Sequence, residues 1–124
     1  MYVFGFEKLE VWQDARKLTV LTYQLTKKYP EKEKFGLTNQ MRRSSVSVGA
    51  NIAEGSTRFS AKEQAHFYSI SFGSLIELMS HSFTSLDLHY LNMGEFEQIK
   101  SVIQPLSLKI NNLRNTAFAK SEKK

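Results

Sequence analysis

Residues 95–118 read EFEQIKSVIQPLSLKINNLRNTAF. Phe96, Ile99, Ile103, Leu106, Ile110, Leu113 and Ala117 step by three and four, which puts every one of them on one side of a helix over 95–118. Pro105 removes one backbone donor and crowds the preceding turn, so a kink rather than an end is expected there. A stripe of this length needs apolar partners, and the three segments before it supply them.

Working back, Asn92, Met93 and Gly94 read as a turn, and Ser60-x-x-Glu63 is a capping-box pattern opening a helix over 61–89. Phe72, Ile76, Met79, Phe83, Leu86 and Tyr90 form its main stripe. Phe67, Ser71, Ser74, Leu78, Ser85 and Leu88 form a second. A further helix is expected over 39–54, with Thr38 as N-cap, Gly55 as C-cap, and Met41, Ser44/Ser45, Val48 and Ile52 inward. Its stretch Ser44–Ala53, SSVSVGANIA, carries no charge, which predicts cover on more than one side. The first helix is expected over 10–29, with Val11, Ala15, Leu18, Thr22, Leu25 and Tyr29 inward, Trp12 widening that stripe and Pro30 ending it. Residues 1–9 form a short arm with Tyr2, Phe4 and Phe6 in alternation, and 119–124 a frayed tail. The fold class is all-α: an up-and-down antiparallel four-helix bundle in a single domain, 1–124.

Composition narrows the function. The 124 residues include no cysteine, which removes disulfides, thiolate nucleophiles and Cys-built metal sites. No apolar run reaches the roughly 20 residues of a membrane span, and no basic-then-apolar export pattern opens the chain, so no membrane association and a cytoplasmic location are expected. Glu63-x-x-His66 has the spacing of a ferritin-like ligand pair, but such a centre uses the motif twice and it occurs once. Glu77 and His81 read as a local pair along one helix. The many serines lack a strand-to-helix elbow and a marked base, and the glycines form no phosphate loop. No catalytic residue, metal or cofactor is expected, and the chain is read as not an enzyme.

Charge is more informative. Seventeen Lys+Arg against twelve Asp+Glu give +5. Residues 1–62 hold eleven basic and six acidic groups, and 63–124 six of each, so the excess lies in the first half. The candidate contacts for nucleic acid or for a subunit interface are Arg42, Arg43, Arg58 and Lys62. Arg42 and Arg43 lie about 100° apart on their helix, and Arg43 points away from the core. Pairing with acids of this chain or of another subunit, and contact with phosphate, are both open for them. Most of the fifteen aromatics fit apolar stripes, so any nucleic-acid binding is expected to be electrostatic and sequence-tolerant.

The runs VWQDA (11–15), TNQMRRSSVSVGANIAEGSTRFS (38–60) and FGSLIEL (72–78) resemble the family of 23S rRNA intervening-sequence proteins, over about residues 9–113. The motif residues include Trp12, Gln13, Gln40, Arg42, Arg43, Ser47, Asn51, Ile52, Ala53, Glu54, Gly55, Arg58, Gly73, Ser74 and Glu77. Val48-Gly49 stands where relatives commonly have Ile-Pro. The resemblance implies an up-and-down four-helix bundle assembled as a homopentamer, with no established activity and no catalytic residues. A related group with a similar pentameric barrel binds nucleic acid. The family name records gene location and implies no ribosomal role. Independently, two apolar stripes on one helix and an uncharged second helix exceed what a lone bundle covers, which predicts a closed homo-oligomer, ring-shaped by the resemblance. The competing explanation is that helix three is more central and its neighbours cover both stripes. The expected function is therefore a homo-oligomeric bundle with a basic surface for RNA or DNA. The alternative is a structural or protein–protein interaction module in which the same arginines serve subunit contacts.

Overall fold

A computed structural model of the chain describes residues 1–123. Four helices follow a short 3₁₀ turn at Gly5–Lys8: α1 (Glu10–Thr26), α2 (Leu37–Ser56), α3 (Ala61–Asp87) and α4 (Met93–Glu122). There is no strand among the described residues. Each helix packs on the two beside it, α1 on α2 and α4, α3 on α2 and α4, while the diagonal pairs do not approach within 8 Å between Cα atoms. This is the up-and-down bundle that the stripes predict.

The core is made by the expected faces of α1, α2 and α4. Val11, Ala15, Leu18, Thr22 and Leu25 are buried on α1, Met41, Ser44, Ser45, Val48 and Ile52 on α2, and Phe96, Ile99, Ile103, Leu106, Ile110 and Ala117 on α4. Each large aliphatic side chain here contributes about 1.5–3 kcal/mol by leaving water. Helix α4 runs unbroken through Pro105.

Helix α3 departs from its main predicted stripe and buries Ser71, Leu78 and Ser85 of the second. The residues it buries are Ala65, Tyr68, Ser71, Leu75, Leu78, Ser82 and Ser85. Ile76, Phe83 and Leu88 are about half exposed instead. The serines decide this. Ser71 Oγ donates to the Val48 carbonyl of α2 at 2.8 Å, and Ser82 Oγ donates to its own helix at Leu78. Hydroxyls that find carbonyl acceptors are buried at little cost, and their small size lets two backbones approach.

Both ends of α2 and α4, and the C-terminal ends of α1 and α3, differ from expectation. Helix α1 stops at Thr26, not Tyr29, because Pro30 opens the next 3₁₀ turn and the residues before it leave the helical register. Helix α2 begins at Leu37 after Gly36, so Thr38 is not its N-cap. Gly55 lies inside α2 and Thr57 caps it, and Gly94 lies inside α4. The left-handed residue that ends α3 is His89, at φ 64°, with the amide of Tyr90 returning to the Ser85 carbonyl. Helix α4 starts earlier than expected, from Asn92, whose side chain accepts from the Glu95 amide while the Glu95 carboxylate accepts from the Asn92 amide. It also runs to Glu122, so 119–122 are helical rather than frayed, while the end of the expected tail lies outside the described residues.

Candidate functional site

Helix α2 carries most of the candidate residues, and its geometry distributes them over three faces. Arg42 turns toward α1. Its Nε donates to Thr26 Oγ1 at 2.9 Å, a terminal nitrogen donates to the Tyr23 carbonyl at 3.4 Å, and the guanidinium lies 4.6 Å from the Tyr23 ring centre. It is a clamp between α1 and α2. Arg58, beyond the last turn of α2, lies over the Phe67 ring at 4.6 Å and pairs with Glu54 at 3.2 Å. Its Nε is buried without a partner.

Arg43 is different. It is exposed, makes no ion pair among the described residues, and lines a polar groove of about 370 Å³ between α2 and α3. Asn39, Gln40, Ser44, Ser47, Ser74 and Glu77 complete the lining. The Ser47 and Ser74 hydroxyls meet at 2.8 Å across the seam, and Asn51 Nδ2 donates to the Ser47 carbonyl at 2.9 Å. Glu77 sits 3.3 Å from His81, the local pair that the sequence implies. Lys62 is exposed on the first turn of α3. Arg43 and Lys62 lie toward opposite ends of the α2–α3 pair, because α2 is 20 residues long and the loop follows it. The four cations are not one patch. Glu63 serves its helix start, its amide donating to Ser60 Oγ at 3.1 Å, and no three metal-ligating side chains gather among the described residues.

Gly55 has a role that the sequence pattern concealed. It is buried, and a β-carbon there would lie 2.7 Å from Tyr68 Cε1. The glycine makes room for the tyrosine ring rather than ending the helix. The N-I-A-E-G run of 51–55 reads as a cap from spacing alone, and only the α3 ring across the seam shows otherwise.

Aromatics are freer than expected. Tyr2, Phe4, Phe35 and Phe59 are exposed. The arm forms an aromatic ladder, Tyr2 edge-on to Phe4 (4.9 Å), Phe4 stacked on Phe6 (5.7 Å) and Phe6 edge-on to Trp12 (4.9 Å). It ends under Arg16, 5.6 Å from the Trp12 ring. On the outer face of α1, Gln13, Arg16, Lys17, Val20, Leu21 and Gln24 frame a mainly apolar groove of about 410 Å³. No helix among the described residues is long and apolar enough to cross a membrane.

Comparison with known proteins agrees with this architecture. A sequence model of the family described as 23S rRNA-intervening sequence protein matches residues 7–112. A crystal structure of a protein of unknown function from the S23 ribosomal protein family of Bacteroides thetaiotaomicron is similar, with a TM-score of 0.76 and 19% sequence identity. The likeness covers 84% of this chain and 97% of that one. Among curated proteins, none matches.

Proposed function

Since the chain belongs to the 23S rRNA-intervening sequence protein family, we propose a function from its surfaces: a non-enzymatic bundle whose primary activity is self-association. One observation carries this. A single copy leaves apolar side chains exposed on all four helices at once, Val20 (54% exposed) on α1, Val46 (46%) on α2, Ile76 (47%) on α3 and Leu108 (64%) on α4. Scattered exposed apolar residues are ordinary, but here they accompany a framed apolar groove and an aromatic arm, the kind of surface that marks an interface. The pentamer number comes from the family resemblance alone. Light scattering on the full chain at micromolar concentration tests the reading: a mass several-fold above 14.3 kDa supports it, and a mass near 14.3 kDa overturns it.

A second reading, phosphate contact with RNA or DNA, is favoured by the +5 charge and by the two exposed candidate cations without an ion pair among the described residues, Arg43 and Lys62. A ring would multiply that charge around its rim. Its test is titration with single- and double-stranded RNA and DNA at about 50 and 200 mM salt, where a phosphate-driven mode weakens steeply as salt rises. Arg42 and Arg58 add nothing to this reading, because both are engaged within the chain.

A further inference from the structure

We propose that assembly uses one repeated contact: the outer face of α1 receives the outer face of α3 of a second copy, in parallel and in register. The inference rests on the self-association reading above. Helices α1 and α3 are diagonal in the bundle, so their outer faces look in opposite directions. A contact between two different faces is heterologous, and repeating it adds copies around a ring rather than closing a two-fold dimer.

The two faces are complementary in charge. On α1 the apolar groove is rimmed by Arg16 and Lys17, with Lys27 at the helix end, and neither lysine has a carboxylate partner among the described residues. The acids of α1, Glu10 and Asp14, are both taken by Lys109 of α4. On α3, the formal charges from His66 to Asp87 are Glu77, at the edge of this face toward α2 and 3.3 Å from His81, and Asp87, both acidic and both exposed. Beside them Ile70 and Ile76 are exposed.

Gly73 lies midway along this face. Its φ is not positive, and a β-carbon built on it would meet nothing within 4 Å. The chain therefore forgoes helix propensity at that position with no contact of its own to show for it. A helix of another copy crossing closely would use the space.

The spacing matches as well. Lys17 and Lys27 are ten residues apart, and so are Glu77 and Asp87, about 15 Å in each case at 1.5 Å per residue. The two helices run parallel, as alternate members of an up-and-down bundle. Their levels follow from the seams. Thr19 Oγ1 donates to the Ser45 carbonyl of α2, and Ser47, two residues lower on that antiparallel helix, touches Ser74 of α3. Lys17 is thus level with Ser74, and Glu77 stands about 4.5 Å above it. The same offset holds for Lys27 and Asp87. In a ring whose axis follows the helices, neighbouring copies meet at equal heights, and one small displacement within the reach of a lysine side chain pairs Lys17 with Glu77 and Lys27 with Asp87.

The test is a charge exchange read by mass. The full chain, Lys17→Glu, Glu77→Lys and the double variant are measured by size exclusion with light scattering at about 50 mM salt, with circular dichroism as the check on folding. The expected result is an oligomeric parent, single variants whose half-assembly concentration rises at least about tenfold at unchanged helicity, and a double variant that recovers. A monomeric parent overturns the self-association reading itself. An oligomeric parent whose mass ignores both single reversals, or a double variant that stays dissociated, overturns only the α1–α3 contact and points to the aromatic arm or the α2 face. Should the reversals lose helicity, Gly73→Leu decides. It adds bulk on an open helical face, so it is expected to keep the fold and lower the mass, and an unchanged mass counts against the contact.

Discussion

A β-carbon on Gly55 would stand 2.7 Å from Tyr68 Cε1 and 3.0 Å from Phe67 Cβ, so the ring of α3 occupies the space that the glycine of α2 leaves open. Gly49, two turns earlier, is a contrast. Its β-carbon would lie 3.6 Å from Ala15 Cβ and 3.9 Å from Trp12, ordinary contact distances. These two helical glycines should respond to alanine with opposite signs. Gly55→Ala gains up to about 1 kcal/mol of helix propensity. It then forces apart a buried ring, an overpacking cost of roughly 1–3 kcal/mol, and a lower melting temperature is expected. Gly49→Ala pays no such cost and should stabilise by about 0.5–1 kcal/mol. Thermal unfolding of the two variants checks both signs.

Arg42 and Arg43 are adjacent in sequence and separate in role. Arg42→Ala removes a charged hydrogen bond to Thr26 and the contact with the Tyr23 ring, and should cost roughly 1–2 kcal/mol of stability. Arg43→Ala breaks no ion pair among the described residues, so its melting temperature should stay close to that of the parent. If the protein binds nucleic acid, Arg43→Ala with Lys62→Ala is the pair that weakens binding at constant stability. Melting together with filter binding separates the two arginines.

At the start of α4, Asn92→Ala removes the acceptor for the Glu95 amide and should cost about 1 kcal/mol, whereas Asn92→Asp keeps it. The Glu95 carboxyl is held below its ordinary range, first by the Asn92 amide and then by Lys28. A depressed folded-state pKa means stability that is present above the ordinary value of 4.5 and lost as pH falls through the folded one. Glu95→Gln should therefore flatten part of the acid-side decline, measured as denaturant midpoint against pH.

Tyr29 acts at the other end of the scale. Burial pushes its phenol up to about 12, the Glu95 charge adds to this, and a hydrogen bond with Ser85 opposes it. The folded state then holds the proton more tightly than the unfolded chain. Its contribution is complete below pH 10 and is lost as pH rises toward 12. Tyr90 and Lys109 are also raised, by Glu33 and by Asp14 with Glu10, and act in the same direction. Tyr29→Phe should make the alkaline decline shallower without abolishing it, which unfolding midpoints between pH 9 and about 12 would register.

Periodicity determined the four helices, the inward faces of α1, α2 and α4 and the bundle class, because a helix buries every third or fourth residue whatever lies opposite. The excess of cations was equally a property of composition. What only the tertiary structure decided depends on a neighbour. Of the two α3 stripes that periodicity offers, the one with Ser71 and Ser74 meets Val48 and Ser47 of α2, and Ile76 and Phe83 of the other face outward. Gly55 looks like a helix stop until the Tyr68 ring is placed against it. Arg42 and Arg43 are one step apart in sequence, yet one meets α1 and the other opens on the α2–α3 groove. A side chain's partner lies on another helix, and spacing along one helix carries no record of it.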